Sequence, residues 1–273
     1  MQKGEYTIAS DDGIGLHFRY WEAEKSNICL CIVHGWGMDG SWYDLLARHF
    51  VQEGISVTTI DLRGHGHSAG KASRVRHLLD FDPDVEALLR ESNIIAANSK
   101  KILMGHQMGA LLAMQHYLLN KKDADALILS APLFKPTTKI SASRWLKIRM
   151  LSHIFPFLPV DVARYLTITV PDTYKNKNYT IPLMHVRLLY ELKKIGKKMI
   201  TRGYKINIPT LVMHGTNDSI ALHRSSVVFA RNTGFYTTFK SWPGKDHYLT
   251  ETYDVEVLGY MLSWIQKTFS LQL

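Results

Sequence analysis

The stretch Lys100–Leu119, KKILMGHQMGALLAMQHYLL, decides the fold. Its opening KKILMGH is a short apolar run of the kind that forms a strand buried on both faces, and MGALLAMQHYLL then carries apolar residues at helical spacing. Gly105 and Gly109 stand four positions apart around His106, Gln107 and Met108. A strand that passes into a helix between two glycines predicts a tight turn in which strand and helix backbones approach closely.

The same alternation continues in both directions. ICLCIVH (28–34), ISVTTIDL (55–62), ADALILSAP (124–132), PTLVMHG (209–215) and FYTTFKSW (235–242) read as further strands, and EYTIAS with LHFRYWEA as an opening pair turned at Asp11-Asp12-Gly13. Between them lie amphipathic stretches: SWYDLLARHFVQEG, FDPDVEALLRESNIIAAN with an aspartate cap, SIALHRSSVVFARN and YDVEVLGYMLSWIQKTF. Strand and helix in alternation predict an α/β fold with a mostly parallel sheet covered by helices. The rhythm breaks at 133–206, where five prolines punctuate short helical pieces such as SRWLKIRMLSHIF and MHVRLLYELKKIGKKMI. This segment reads as a helical cap inserted into a core formed by 1–132 and 207–273.

Composition bounds the function. The 273 residues are 46% hydrophobic and 21% charged, ordinary globular material with no apolar run of membrane-spanning length and no signal-peptide pattern at the start, so a cytoplasmic protein is expected. Cys29 and Cys31 share one face of a strand, a spacing that suits buried small hydrophobes and not a metal or a disulfide. The net charge of +9 is concentrated: Lys135–Lys205 holds fifteen Lys and Arg against three acids. A solvated helical face is the commoner use of such charge. Its functional rival is attraction to an anionic membrane surface, a fatty-acid carboxylate or an acidic carrier protein. Trp145, Ile154, Phe155, Phe157 and Leu158 are expected to line an acyl-chain pocket in preference to resting on a membrane. No nucleic-acid motif accompanies the basic segment, and nucleic acid is not expected.

Several loops at strand ends carry chemistry-bearing residues. His34-Gly35-Trp36-Gly37 and Asp61-Leu62-Arg63-Gly64-His65-Gly66-His67-Ser68 each follow a strand, Gly105–Gly109 occupies the G-x-S-x-G frame, Asp218 follows LVMHG, and His247 follows FYTTFKSW. Each has a plain alternative: glycines that only permit packing, Asp218 as a helix cap, His247 as a surface histidine. Their joint occurrence in the order elbow, acid, histidine argues for the functional reading. His34, His65, His67, His106 and His214 are read as loop-shaping hydrogen bonders, and no metal site is expected.

On these motifs the chain resembles the monoacylglycerol lipase and lysophospholipase branch of the α/β-hydrolases, also described as serine aminopeptidase-like. HGWG, DLRGHGHS, GHQMG, NYTIPLMHVRLLYELKK, HGTND and DHYLTE fall in that branch's order over nearly the whole length. The resemblance implies an eight-stranded α/β-hydrolase sheet and a hydrophobic acyl-ester or lipid substrate, with no cofactor. Asp218 would orient His247, His247 would be the general base, and the backbone N–H groups of Trp36 and Met108 would form the oxyanion hole. The family's serine falls at position 107, which is glutamine here. A carboxamide has no atom comparably acidic and nucleophilic, so the acyl-enzyme route is closed. Three readings stay open: an ester hydrolase with one residue altered, a natural pseudoenzyme that binds a hydrophobic ligand or acidic partner, and slow hydrolysis by water that His247 activates and Gln107 positions.

Overall fold

The computed structural model describes residues 2–71, 75–120, 123–161 and 184–269. Eight strands form one sheet: β1 (Gln2–Ala9), β2 (Gly15–Glu22), β3 (Ile28–Val33), β4 (Ser56–Ile60), β5 (Lys100–His106), β6 (Ala126–Ser130), β7 (Thr210–Gly215) and β8 (Thr237–Trp242). Their spatial order is β1-β2-β4-β3-β5-β6-β7-β8, with β2 antiparallel to both neighbours and every later pairing parallel. The helices are α1 (Asp44–Gln52), α2 (Asp82–Ile95), α3 (Met108–Leu119), α4 (Ala142–Ile154), α5 (Val186–Arg202), α6 (His223–Asn232) and α7 (Val255–Phe269). This is the mostly parallel sheet with flanking helices that the alternating pattern predicts.

The strand alternation sorts the core onto two faces. Along β3, Cys29, Cys31 and Val33 join one apolar cluster with α2 and α3, while Ile28, Leu30 and Ile32 join a second with α1 and α7. Both cysteines are buried and free, with Sγ atoms 3.9 Å apart on one face, as their spacing predicts. β3 and β5 are paired side by side at the middle of the sheet, so loops leaving their carboxyl ends emerge together.

Two helix starts differ from the sequence reading. The helix expected from Ser219 begins only at His223, and Asp218 therefore caps the preceding turn: its Oδ1 accepts from the N–H groups of Ile220 and Ala221, both at 2.8 Å. At α2 the cap position falls on Phe81 and Asp82 becomes the first helical residue, ahead of Pro83, whose missing N–H costs nothing there.

Between β6 and β7 lie α4, α5 and a two-residue antiparallel pairing of Pro159–Val160 with Met184–His185. Part of the expected cap, residues 162–183, lies outside the described residues. Trp145 is half-buried and stacks on Tyr190 of α5 at 5.5 Å. The expectation that its apolar companions line a pocket fails: Ile154 is 62% and Phe155 59% exposed, and Phe157 and Leu158 are also exposed. α4 meets α5 with only part of its circumference, leaving its far end to solvent.

At the turn between β5 and α3 two glycines are required by close approach. A Cβ on Gly105 would stand 2.3 Å from the carbonyl oxygen of Gly109, and one on Gly109 would stand 2.2 Å from that of Val33. Gly259 on α7 offers the opposite case, since a Cβ there meets nothing within 4 Å. Gly109→Ala is expected to lower folding stability by about 1–3 kcal/mol through overpacking, and Gly259→Ala to raise it by about 0.5–1 kcal/mol by relieving backbone entropy. Urea midpoints of the two variants check this; a Gly109→Ala protein as stable as the parent would contradict the close approach.

Candidate active site

The elbow residue between the glycines is Gln107, at φ 52° and ψ −111°, a conformation uncommon for any residue with a Cβ. The turn is held at both ends. Gln107 N–H donates to Ser130 O on β6 (3.1 Å), and Leu133 N–H donates to Gln107 O (3.1 Å). The side chain is buried and its Oε1 accepts from the backbone N–H of Trp36 at 2.8 Å. Gly35 makes room for it, since a Cβ there would stand 2.8 Å from Oε1. Met108 is the first residue of α3, so its N–H is among those at a helix start with no partner four residues back.

His247 and Asp218 come from the loops after β8 and β7. His247 Nδ1–H donates to Asp218 Oδ2 at 2.7 Å, with both side chains buried. His247 Nε2 is sealed from solvent and has no hydrogen-bond partner among the described residues. The carboxamide oxygen of Gln107 turns to the backbone of Trp36. Burial by itself would raise the Asp218 carboxyl. Hydrogen bonds from His214 and His247, with their charges, outweigh it and hold the group well below the usual carboxylate range.

Of the five histidines read as loop shapers, three behave so. His34 Nε2 accepts from Leu62 N–H at 2.9 Å and its Nδ1–H donates to Gly35 O at 2.7 Å, which fixes a neutral tautomer and ties the HGWG loop to the loop after β4. His214 Nδ1 accepts from the Ser226 hydroxyl (2.8 Å), while its Nε2–H faces Ala221 O and Asp218 Oδ2, each at 3.0 Å. His65 reaches Arg63 O at 3.2 Å. His67 presents its backbone N–H to Asp61 Oδ2 and its ring to His17. His106 makes no side-chain hydrogen bond; its buried ring lies 4.6 Å from that of His247, and its Nδ1 is 3.3 Å from Glu251 Oε1. Burial pushes the His106 imidazolium down and the Glu251 carboxyl up, so both are driven toward their neutral forms. This pair was not anticipated, although Glu251 stands in the DHYLTE stretch four residues after His247.

The sequence profile of the serine aminopeptidase S33 family matches residues 24–252. The chain belongs to that family. Among its relatives, a monoacylglycerol lipase of Mycolicibacterium smegmatis is 24% identical over 96% of this chain and 97% of its own length. An uncharacterized abhydrolase domain-containing protein of Dictyostelium discoideum is 25% identical over 98% of this chain, which spans only 29% of that longer protein. The crystal structure of a soluble variant of monoglyceride lipase from Saccharomyces cerevisiae, in complex with a substrate analogue, superposes with a TM-score of 0.80 at 19% identity, covering 98% of this chain and 94% of that one. The S33-family profile covers all five strand-end loops described above, from HGWG to DHYLT.

The loops of this S33-family chain rest on buried charge. Asp61 accepts from Gly40 N–H (2.8 Å), His67 N–H (2.9 Å) and the Arg19 guanidinium, and Arg63 is clamped between Asp12 and Asp84. His65 lies under this layer against the rings of His34, Trp36 and Phe81. Burial pushes it down to about 3, with His34 adding to the fall and Arg63 O and Asp61 opposing it. A group whose folded value is depressed contributes stability above its unfolded value and loses it as pH falls. The unfolded value is about 6.5, so stability is expected to decline below that pH, by roughly 1.4 kcal/mol per unit for each such histidine. Urea midpoints at descending pH should show this slope, reduced by about one histidine's share in His65→Gln; an unchanged slope would mean that His65 protonates within the fold.

Proposed function

We propose that this chain is a carboxylic-ester hydrolase scaffold of the monoacylglycerol lipase type, whose nucleophile position is filled by a side chain that blocks its own oxyanion site. The observation that carries the reading is the 2.8 Å hydrogen bond from Trp36 N–H to Gln107 Oε1. An amide oxygen rests where the carbonyl oxygen of a bound ester would have to sit. The family match, the full-length monoacylglycerol lipase relative and the 2.7 Å Asp218–His247 pair support the hydrolase ancestry.

The retained parts define what the missing hydroxyl would do. With serine at 107, His247 Nε2 accepts the hydroxyl proton as Oγ attacks the ester carbonyl; the oxyanion then takes the N–H groups of Trp36 and Met108. Collapse of that adduct breaks the bond to the alcohol, which leaves with the proton held by His247, and water repeats the sequence to release the acid. Asp218 holds the ring and offsets its positive charge. Gln107 has no proton to give to His247 in an attack, and its oxygen occupies the Trp36 donor, so both the nucleophile and one oxyanion contact are lost together. Loss of the nucleophile alone costs on the order of 10⁶ in turnover.

Gln107→Ser is expected to raise hydrolysis of medium-chain p-nitrophenyl and monoacylglycerol esters by about 10⁴-fold or more over the parent, with fluorophosphonate labelling of the variant alone. A folded variant that neither turns over nor labels would end the reading.

A second reading, a binding protein without turnover, rests on the 133–206 segment. A small apolar cavity of about 30 Å³, room for about one water, lies within it, walled by Leu133, Trp145, Met184, Leu189 and Leu192, with Lys193 at its edge. Leu133 is bonded to the elbow, which puts the cavity beside Gln107. Lys193 Nζ lies 3.5 Å from the Trp145 ring centre, and burial lowers its affinity for a proton.

The 133–206 segment also carries a membrane-facing surface in this reading. Leu146, Met150 and Ile154 are exposed at four-residue intervals along α4, and Phe155 continues the stripe beside Arg144, Lys147 and Arg149. No helix among the described residues is long and apolar enough to cross a membrane, so contact would be at the surface. Sedimentation with phosphatidylglycerol-containing vesicles is expected to capture the chain, and Leu146→Asp with Ile154→Asp to weaken capture about tenfold or more, since two buried apolar side chains are lost; equal capture of both proteins would remove α4 from the interface.

A further inference from the structure

A second cluster of potential ligands lies where α2 begins and α3 ends. Asp82 and Glu86 occupy positions i and i+4 on α2 and therefore share a face, while His116 and Asn120 stand one above the other at the end of α3. One carboxylate oxygen from each acid and a ring nitrogen of His116 all lie within 4.8 Å of one another. His116 Nδ1 is 3.1 Å from Asp82 Oδ1, and Asn120 Nδ2–H donates to Glu86 Oε1 at 3.3 Å.

Three observations point from this cluster to a cation. Among the described residues neither Asp82 nor Glu86 has a Lys or Arg within ion-pair distance, and Asp123 adds a third carboxylate near the same ring. The histidine is sealed in, its side chain only 1% exposed. Its Nε2 has no hydrogen-bond partner among the described residues, yet Asp123 Oδ2 stands 3.5 Å away. A cation on Nδ1 obliges the ring proton to sit on Nε2, where Asp123 would accept it. That is the arrangement by which a carboxylate orients a metal-bound imidazole and raises its basicity.

We propose that Asp82, Glu86 and His116 Nδ1 form a site for a divalent transition-metal ion of the zinc class, with Asp123 holding the histidine from behind. The donor set selects the metal: one imidazole nitrogen with two carboxylate oxygens suits zinc and its neighbours, whereas magnesium and calcium take oxygen donors alone. Bonds of about 2.0–2.2 Å bring ligand atoms closer together than the present cluster, a movement that rotation of the half-exposed Glu86 supplies. The ion would tie the start of α2 to the end of α3, the helix whose first turn carries the elbow. It lies outside the site described above, and the inference is independent of any hydrolytic activity.

The test uses the full chain stripped by chelator, titrated with zinc by calorimetry, beside Glu86→Gln and the double variant Asp82→Asn/Glu86→Gln, which leave all thirteen histidines in place. The expected result is one equivalent bound, a rise in Tm with zinc, and loss of at least tenfold in affinity in Glu86→Gln with no saturable binding in the double variant. Cobalt(II) should give visible absorption bands that the double variant lacks. Glu86→Gln alters a half-buried residue without an ion-pair partner among the described residues, so its circular dichroism and apo Tm should match the parent. If the chain takes up no zinc, or if both variants bind it as the parent does, the proposal is overturned and the cluster is a pairing of two helix ends through His116.

Discussion

At the turn from β5 to α3 the backbones come so close that a single methyl group at either glycine would overlap a carbonyl. That constraint sets the rest. It brings α3 against the carboxyl ends of β3 and β5, makes the helix almost wholly buried, and forces the residue between the glycines into positive φ with its side chain aimed over the sheet edge. The residue at 107 points at the Trp36 loop, and it is the neighbouring His106 whose ring meets that of His247. The geometry is indifferent to whether that residue can react.

Most of the frame was legible in the sequence because burial writes itself plainly. A central parallel strand has no solvent face, so β3, β5 and β6 appear as unbroken apolar runs, and each ends where glycine and polar residues gather. The paired residues Asp218 and His247 were legible only as positions, each in the loop after a strand. Harder to read were features that depend on which way a side chain turns. Nothing in the string GHQMG says that the carboxamide prefers the Trp36 N–H to His247, and nothing in HYLTE says that Glu251 folds back beneath His106. Helix α4 failed for a related reason: Ile154 and Phe155 look like core residues by type, and only the partial packing of α4 against α5 exposes them. The ligand cluster at Asp82, Glu86 and His116 is spread over two helices, so no linear spacing announces it.

The polar interior follows a consistent rule: groups that water cannot reach are paired with opposite charge or held neutral. Asp61 keeps its charge through Arg19 and Asp218 through two histidines, while at Asp84 burial pushes the carboxyl up against the pull of Arg63. His34 and His65 are buried beside one another and are driven to the neutral state, which suits a ring that must accept as well as donate. His106 stands apart because its nearest partner, Glu251, is itself driven toward neutrality. Burial thus weakens the charge on both groups of the pair that stands against the ring of His247, 4.6 Å from that of His106.

Gln107 can be weighed in the same terms. Holding a residue with a Cβ at positive φ costs about 1–3 kcal/mol, and such strain persists only where the surroundings impose it. In a working elbow that strain exposes a nucleophile. Here the close approach of β5 and α3 imposes it regardless of chemistry, and the hydrogen bond from Trp36 N–H returns about 1 kcal/mol of it. The glutamine is therefore a well-accommodated occupant, and the Asp218–His247 pair keeps its geometry without help from position 107. The other contacts that hold these loops together are made by the backbone and by buried histidines and by arginines paired with aspartates, so the frame depends little on the chemistry of residue 107.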